Sequence, residues 1–365
     1  MPICTFYIQQ LKLSNYKSYS FKEFNFSEKL NFIVGNNGIG KTNLLDAVYY
    51  SCLSKSYFSS DLMVPNFQNV FFRIESNISL GIDNQLVEFK YLKQEKKEIS
   101  LNKVKVEKLT SFVGKYPCVF ITPDDNQLIL GASEIRRKFI DATLCQFSSD
   151  YLLHLVSYNK VLTQRNALLK SFYEKRTFDN ALLDVYNQQL VQAGNFIHQF
   201  RKDFMLQFVP VFEKYYRQIF DGDEQIDIHY HSDLLDNDYA PLLQTTQEQD
   251  RVAQRTTKGI HLDDIVFEMK NFPLKKIASQ GQQKTVLLSM KLAQFELLKI
   301  EKQVMPLLLL DDIFDKLDSG RITKIFQLIK SESFGQVFIS DTDIDKIQQL
   351  IENNNCKQYK IIPLG

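Results

Sequence analysis

Residues 35–42, GNNGIGKT, satisfy every fixed position of the pattern G-x-x-x-x-G-K-[ST]. Residue types at this spacing do one kind of chemistry. The glycines let the backbone curl so that successive N–H groups point inward at phosphate oxygens. Lys41 then reaches the β- and γ-phosphates, and the Thr42 hydroxyl is a ligand for Mg²⁺. The flanks agree. LNFIVG (30–35) is an apolar run ending in Gly, and TNLLDAVYYSCL (42–53) carries apolar residues at helical spacing. The loop is therefore expected to join a strand to a helix N-terminus, where the helix dipole favours an anion. The expected ligand is a nucleoside triphosphate.

A second constellation lies far downstream, in MPLLLLDDIFDKLD (305–318). Four leucines before Asp311 read as a strand buried on both faces. Asp311 and Asp312 then stand at its carboxyl end, where ligands bind in open α/β sheets. Asp311 is placed to hold Mg²⁺, and Asp312 to orient or deprotonate an attacking water. Between the two motifs, ASQGQQK (278–284) opens a long helical pattern. Ser279, Gln280, Gly281 and Gln282 form a second helix N-terminus suited to an anion. One such loop serves a chain's own triphosphate, so a second makes sense as a cover for the γ-phosphate held by another subunit. This order resembles that of ABC-type ATPases, and DKLD (315–318) with Asp318 resembles their D-loop.

The elements that position these groups are legible in outline. TFYIQQLKL and FKEFNF alternate as strands before the loop, and residues 70–106 continue as a meander. PCVFI (117–121) is a buried strand stopped by Pro-Asp-Asp. From residue 133 to about Phe220 the apolar spacing is helical, as in SEIRRKFIDATLCQF and SDYLLHLVSYNKVLTQRNALLKSFYEK. A polar, extended stretch (222–255) with one strand, IDIHYH, precedes a return to α/β texture.

Bulk properties set outer limits. The chain has 365 residues, 44% hydrophobic and 24% charged, and a formal net charge of +1. Any polyanion-binding surface must therefore be local. Residues 136–176 are such a stretch, with eight Lys/Arg against three acids, a net of +5. Arg136, Arg137, Lys138 and Arg165 are the candidate phosphate contacts there. The competing expectation is that these charges decorate solvated helix faces. Five scattered cysteines without a C-x-x-C pair read as reduced thiols. With no long apolar span and no signal-peptide pattern, the expected location is cytoplasmic and away from membranes.

The whole chain resembles the RecF family of bacterial recombination and gap-repair ATPases, an SMC-like branch of the ABC group. The resemblance rests on NYKSY (15–19), GNNGIGKTNLLDAVYY (35–50), FITPDD (120–125), EIRRKFID (134–141), YNKVLTQRNALLK (158–170), KGIHLDD (258–264), SQGQQKTVLLSMKLAQ (279–294) and LLLLDDIFDKLD (307–318). It implies an α/β fold: an ABC-type P-loop ATPase head, with a central mostly parallel sheet and an antiparallel β lobe, split by an inserted helical domain. The implied organisation is an ATPase N-terminal half at 1–140, a helical arm at 141–250 and an ATPase C-terminal half at 251–365. Gly35, Asn36, Asn37, Gly38, Ile39, Gly40, Lys41, Thr42 and Asn43 would hold ATP, with Mg²⁺ on Thr42 and Asp311. Lys17 resembles the basic residue such heads place near the nucleotide. Ser279, Gln280, Gly281 and Gln282 would act on a partner's nucleotide. The resemblance further implies an ATP-dependent homodimer on DNA at single-strand/double-strand junctions. It also implies cooperation with RecO- and RecR-type mediators in recombinase loading, a part in SOS induction, and weak, DNA-stimulated ATP hydrolysis.

Some positions depart from the pattern. KSYFSSD (55–61) has Phe58 where relatives often carry a basic residue. VFISDTD (337–343) offers no switch histidine, and the second acid is Asp312, one methylene shorter than Glu. Both predict slow turnover. A clear Q-loop glutamine is missing, and Gln127 or the Asp124/Asp125 pair are the candidates for that role. The alternatives are a chromosome-organising SMC protein or a transporter ATP-binding subunit. The first needs far longer heptad arms than this helical block provides, and the second normally carries a smaller helical insertion.

Overall fold

The computed structural model describes residues 3–66, 69–220, 222, 224–314, 319–330 and 333–365. In chain order its strands are β1 (Cys4–Tyr16), β2 (Tyr19–Asn25), β3 (Leu30–Val34), β4 (Phe71–Leu80), β5 (Asp83–Leu92), β6 (Glu98–Leu101), β7 (Val104–Lys105), β8 (Cys118–Ile121), β9 (Ile226–His231), β10 (Asp264–Met269), β11 (Phe272–Pro273), β12 (Val304–Met305), β13 (Leu307–Leu310), β14 (Val337–Asp341) and β15 (Tyr359–Pro363). The chain folds as two units. One comprises residues 1–125, 214–221 and 284–365, and the other 126–213 and 222–283.

The first unit holds two sheets. The five-stranded one is parallel throughout, in the order β15-β3-β14-β13-β8. β3, β8, β13 and β14 are buried along their whole length. That matches their sequences, which are apolar without alternation, as strands covered on both faces require. The second sheet runs β12-β1-β4-β5-β6-β7 with β2 also on β1. It is antiparallel except that β12 joins β1 in parallel at Cys4 and Thr5. β4 alternates buried and exposed positions over Phe71–Ile74, as a sheet with one solvated face does. Phe6, Leu11, Tyr16, Phe72, Val87 and Phe89 from this sheet pack with Leu44, Val48 and Tyr50 of the helix Lys41–Leu53.

The second unit holds the helices Ser133–Phe147 and Ser149–Lys175 and most of the helix Asn180–Ile219. Ser148 separates the first two because its hydroxyl accepts from the Tyr151 N–H, a cap that restarts the helix. Arg176 ends the next one in a left-handed conformation (φ 53°). Pro210 lies inside the third helix. The small antiparallel sheet β11-β10-β9 belongs here as well.

One sequence expectation is corrected. The stretch 222–255 is not wholly extended, because the helices Tyr239–Thr245 and Gln247–Ala253 follow β9. Each is seven residues long, too short to show a helical period. Among the described residues no helix is long and apolar enough to cross a membrane.

Candidate nucleotide-binding site

β3 delivers the chain to the loop, and the helix Lys41–Leu53 leaves it. Two glycines are required by geometry. A Cβ on Gly35 would lie 2.6 Å from the Leu364 carbonyl oxygen, a main-chain atom that cannot step aside. Gly40 has φ +114°, a conformation closed to side-chain-bearing residues, and forms the helix N-cap. Its added Cβ would meet Ser18 Oγ at 2.9 Å and the Tyr19 hydroxyl at 3.0 Å. Gly40→Ala is therefore expected to cost about 1–3 kcal/mol of stability. It should also abolish nucleotide binding, with calorimetric titration and a thermal melt as the checks.

Asn36, Asn37, Gly38 and Ile39 are exposed at the tip of the loop. Lys41 is buried, and its Nζ donates to the carbonyls of Gly35 (2.9 Å) and Asn36 (3.2 Å). The ammonium thus curls back over the loop. Thr42 Oγ1 donates to Asp311 Oδ2 at 2.8 Å, joining the phosphate loop to the end of β13. Asn43 Nδ2 donates to Ser18 Oγ at 2.9 Å.

Asp311 sits at the carboxyl end of β13, its N–H donating to the Ile121 carbonyl of β8. Burial pushes its carboxyl above the usual aspartate range, and hydrogen bonds from Ser340 and Thr42 pull the other way. Ser340 was not legible as a site residue. Its hydroxyl donates to Asp311 Oδ1 at 2.6 Å and accepts from the Asp312 N–H at 3.0 Å. β14 separates β13 from β3, so Ser340 near its end reaches both acids. Asp312 is left-handed (φ 45°), which turns the chain sharply after the strand.

A matching relay lies under β8. Lys291, buried in the helix Gln280–Lys302, donates to the Phe120 carbonyl at 2.7 Å and pairs with Asp125 at 3.1 Å. Asp125 also accepts from the Thr122 N–H at 2.8 Å and from the Tyr57 hydroxyl. The Asp of this Q-loop candidate is thus held inward by a lysine that no local pattern marks. Lys17 faces inward too, with Nζ 2.6 Å from Asp46 Oδ2 and over the Phe58 ring at 5.0 Å.

A model of the RecF/RecN/SMC N terminal domain matches residues 7–359. The DNA replication and repair protein RecF of Flavobacterium johnsoniae is 42% identical over 360 residues, covering 98% of this chain and 100% of that one. The chain belongs to the RecF family. The RecF of Phocaeicola vulgatus is 37% identical, with 97% and 95% of the two chains covered. A solved structure of the recombination mediator protein RecF with ATP in the RecFOR pathway superposes with a TM-score of 0.85 at 27% identity, covering 93% of this chain and 92% of that one. The Smc head domain from Pyrococcus furiosus shares the fold at a TM-score of 0.53 and 17% identity. The fold is thus that of a RecF and SMC-head ABC-type ATPase.

Other expected RecF site residues are placed as follows. Ser279 and Gln282 cap the helix Gln280–Lys302 reciprocally. The Ser279 N–H donates to Gln282 Oε1 at 2.7 Å, and the Gln282 N–H donates to Ser279 Oγ at 3.3 Å. Gln280 and Gly281 occupy the first turn between them. Gln282 Nε2 also donates to Glu224. Asp318 and the rest of DKLD lie outside the described residues.

The basic stretch requires a correction. Arg165 is fully buried and paired with Asp250 at 2.7 Å, so no phosphate can reach it. Arg136 is clamped on both oxygens of Asp264 at 2.6 and 2.9 Å, and Arg137 donates to the Asp263 carbonyl. Lys138 is exposed and pairs with Glu134 at 2.7 Å. The count of charges along the chain overstates the charge available to a partner.

Proposed function

We propose that this chain is an ATP-switched DNA-repair ATPase whose nucleotide is enclosed between two copies. Residues 35–43 take the triphosphate, and Ser279, Gln280, Gly281 and Gln282 of a second copy cover its γ-phosphate. The dimer assembles on DNA at single-strand/double-strand junctions and works with RecO- and RecR-type mediators in recombinase loading and SOS induction. Slow, DNA-stimulated hydrolysis resets it. In this reading residues 1–140 and 251–365 form the ATPase halves and 141–250 the arm. Lys138 is the retained candidate among the four basic residues for phosphate contact, and Lys17 for the nucleotide's surroundings.

The observation that carries the reading is the 2.8 Å contact between Thr42 Oγ1 and Asp311 Oδ2, which joins the two motifs across 269 positions. It also tests the metal. Two hard oxygen donors side by side suit Mg²⁺, which takes one or two protein oxygens and completes its shell with water and phosphate. When bound, such an ion supplies charge neutralisation at the β- and γ-phosphates. The protein's own groups do the rest. Lys41 exchanges its two carbonyl partners for phosphate oxygens, and Asp312 orients the attacking water. Asp312 is one methylene shorter than a glutamate, which keeps its carboxylate further from that water and hydrolysis slow.

Light scattering with and without MgATP tests the proposal. The mass should double with nucleotide in the wild type and fail to do so in Lys41→Ala and Ser279→Arg. A dimer that forms equally well without nucleotide would refute the enclosed arrangement.

A further inference from the structure

The phosphate loop is gripped from outside by the turn between β1 and β2. That turn is a two-residue connection, since Tyr16 pairs with Tyr19. Lys17 within it is left-handed (φ 49°), as is Asn15 before it (φ 53°). Such conformations persist in residues with side chains only where surrounding contacts hold them. Here the holders are identifiable: the Lys17 N–H donates to the Val64 carbonyl at 2.9 Å, the Asn15 carbonyl accepts the Asn66 N–H at 3.0 Å, and a buried acid takes the side chains of the turn. Asp46, fully buried in the phosphate-loop helix, accepts from four donors. Tyr16 Oη (2.6 Å) and Lys17 Nζ (2.6 Å) come from the turn. Ser56 Oγ (2.8 Å) and the Tyr57 N–H (2.7 Å) come from the loop after the helix.

From this anchored turn two groups reach the phosphate loop. The Tyr19 hydroxyl donates to the Gly40 carbonyl at 3.0 Å, and Ser18 Oγ accepts from Asn43 at 2.9 Å. The same Gly40 carbonyl accepts the Leu44 N–H at 3.0 Å, the first bond of the helix. Fixing that carbonyl fixes the peptide plane between Gly40 and Lys41, and with it the direction of the Lys41 N–H.

We infer that Tyr19 is a positioning residue for the triphosphate site, acting through the Gly40 carbonyl, and that Asp46 is the anchor that holds Tyr19's turn in place. Burial pushes the Tyr19 hydroxyl up to about 12, so it remains a donor at every working pH. The inference rests on residues 35–43 being the nucleotide site, and it is independent of whether two copies enclose the nucleotide.

The test titrates full-length wild type, Tyr19→Phe, Asp46→Asn and the double variant with a fluorescent ATP analogue in Mg²⁺ buffer, alongside steady-state hydrolysis and thermal melts. Tyr19→Phe keeps the ring and its edge-on contact with Phe24 at 5.6 Å. It should weaken affinity about five- to tenfold, the size of one hydrogen bond. KM should rise by the same factor, while kcat at saturation and the melting temperature stay near wild type. That split is not expected of a residue that serves folding alone. Asp46→Asn should weaken affinity at least as much, and the double variant should be no weaker than Asp46→Asn. Should Asp46→Asn not fold, Tyr16→Phe, which removes one of the turn's donors to Asp46, replaces it in the cycle with the same expectation of a less-than-multiplicative double variant.

Unchanged affinity in Tyr19→Phe overturns the inference, and so do strictly multiplicative effects in the double variant. A wild type that fails to bind the analogue refutes the nucleotide site itself. A wild type that binds it but never doubles in mass refutes only the enclosed dimer.

Discussion

Arg165→Met is expected to lower the unfolding free energy by about 3–5 kcal/mol, the cost of leaving one member of a buried ion pair alone. Both side chains of the pair are fully buried. Arg165 Nη1 meets Asp250 Oδ2 at 2.7 Å and Thr256 Oγ1 at 2.8 Å, and Nε donates to Asn187 at 2.8 Å. Asp250 Oδ1 accepts from the Thr257 N–H and hydroxyl. These contacts tie the helix Ser149–Lys175 to Asn180–Ile219 and Gln247–Ala253. With Met at 165, the Asp250 carboxyl is left buried without the guanidinium that pairs with it. The double variant Arg165→Met, Asp250→Leu should recover much of the loss, since an apolar pair of similar volume often replaces a buried ion pair without penalty. Urea unfolding measures both. A loss below about 1 kcal/mol would mean that the pair is far better solvated than its burial indicates. Below the melting transition, the salt dependence of the proposed DNA binding should be the same as in wild type.

Asp311→Asn should separate stability from activity. The variant retains an oxygen that can accept from Ser340 or Thr42, but it removes a carboxylate that burial disfavours. Hydrolysis should fall roughly 10²–10³-fold, the equivalent of several kcal/mol of lost charge stabilisation. The nucleotide-free variant should nevertheless melt at a higher temperature than wild type at neutral pH. The sign follows from linkage. The folded-state pKa is raised, so the folded chain binds the proton more readily than the unfolded chain does. The cost of the buried anion is therefore present above that pKa. It disappears as pH falls below the ordinary aspartate value of about 3.9. The advantage of Asn should shrink on acidification in the same window. A lower melting temperature for the variant at neutral pH would show that the Ser340 and Thr42 hydrogen bonds outweigh the burial.

What could be read from the chain alone follows from where the chemistry is stored. In GNNGIGKT every functional atom comes from eight consecutive residues, and the flanking strand and helix are apolar at their own periods. LLLL before Asp311 is equally local, because a strand covered on both faces has no alternation to confuse it. Ser340, Tyr19 and Asp46 carry no such mark. Their roles come from a strand inserted between two others, a left-handed turn, and a carboxylate whose four donors lie up to 30 positions away. Arg165 misleads for a related reason. Its neighbours along the helix give it the look of a surface charge, while its acid arrives 85 positions later.

The order of the parallel sheet has a consequence for biosynthesis. β3, which carries the phosphate loop, is flanked by β14 and β15, drawn from the last 30 residues of the sequence. At roughly 5–20 residues per second, a ribosome that has finished β3 works on the order of half a minute more before either neighbour exists. Throughout that interval the strand presents unpaired edges and two bare apolar faces, the condition under which nascent chains aggregate. Fragments ending before residue 337 should therefore be clients of chaperones and unable to retain nucleotide, however intact their GNNGIGKT.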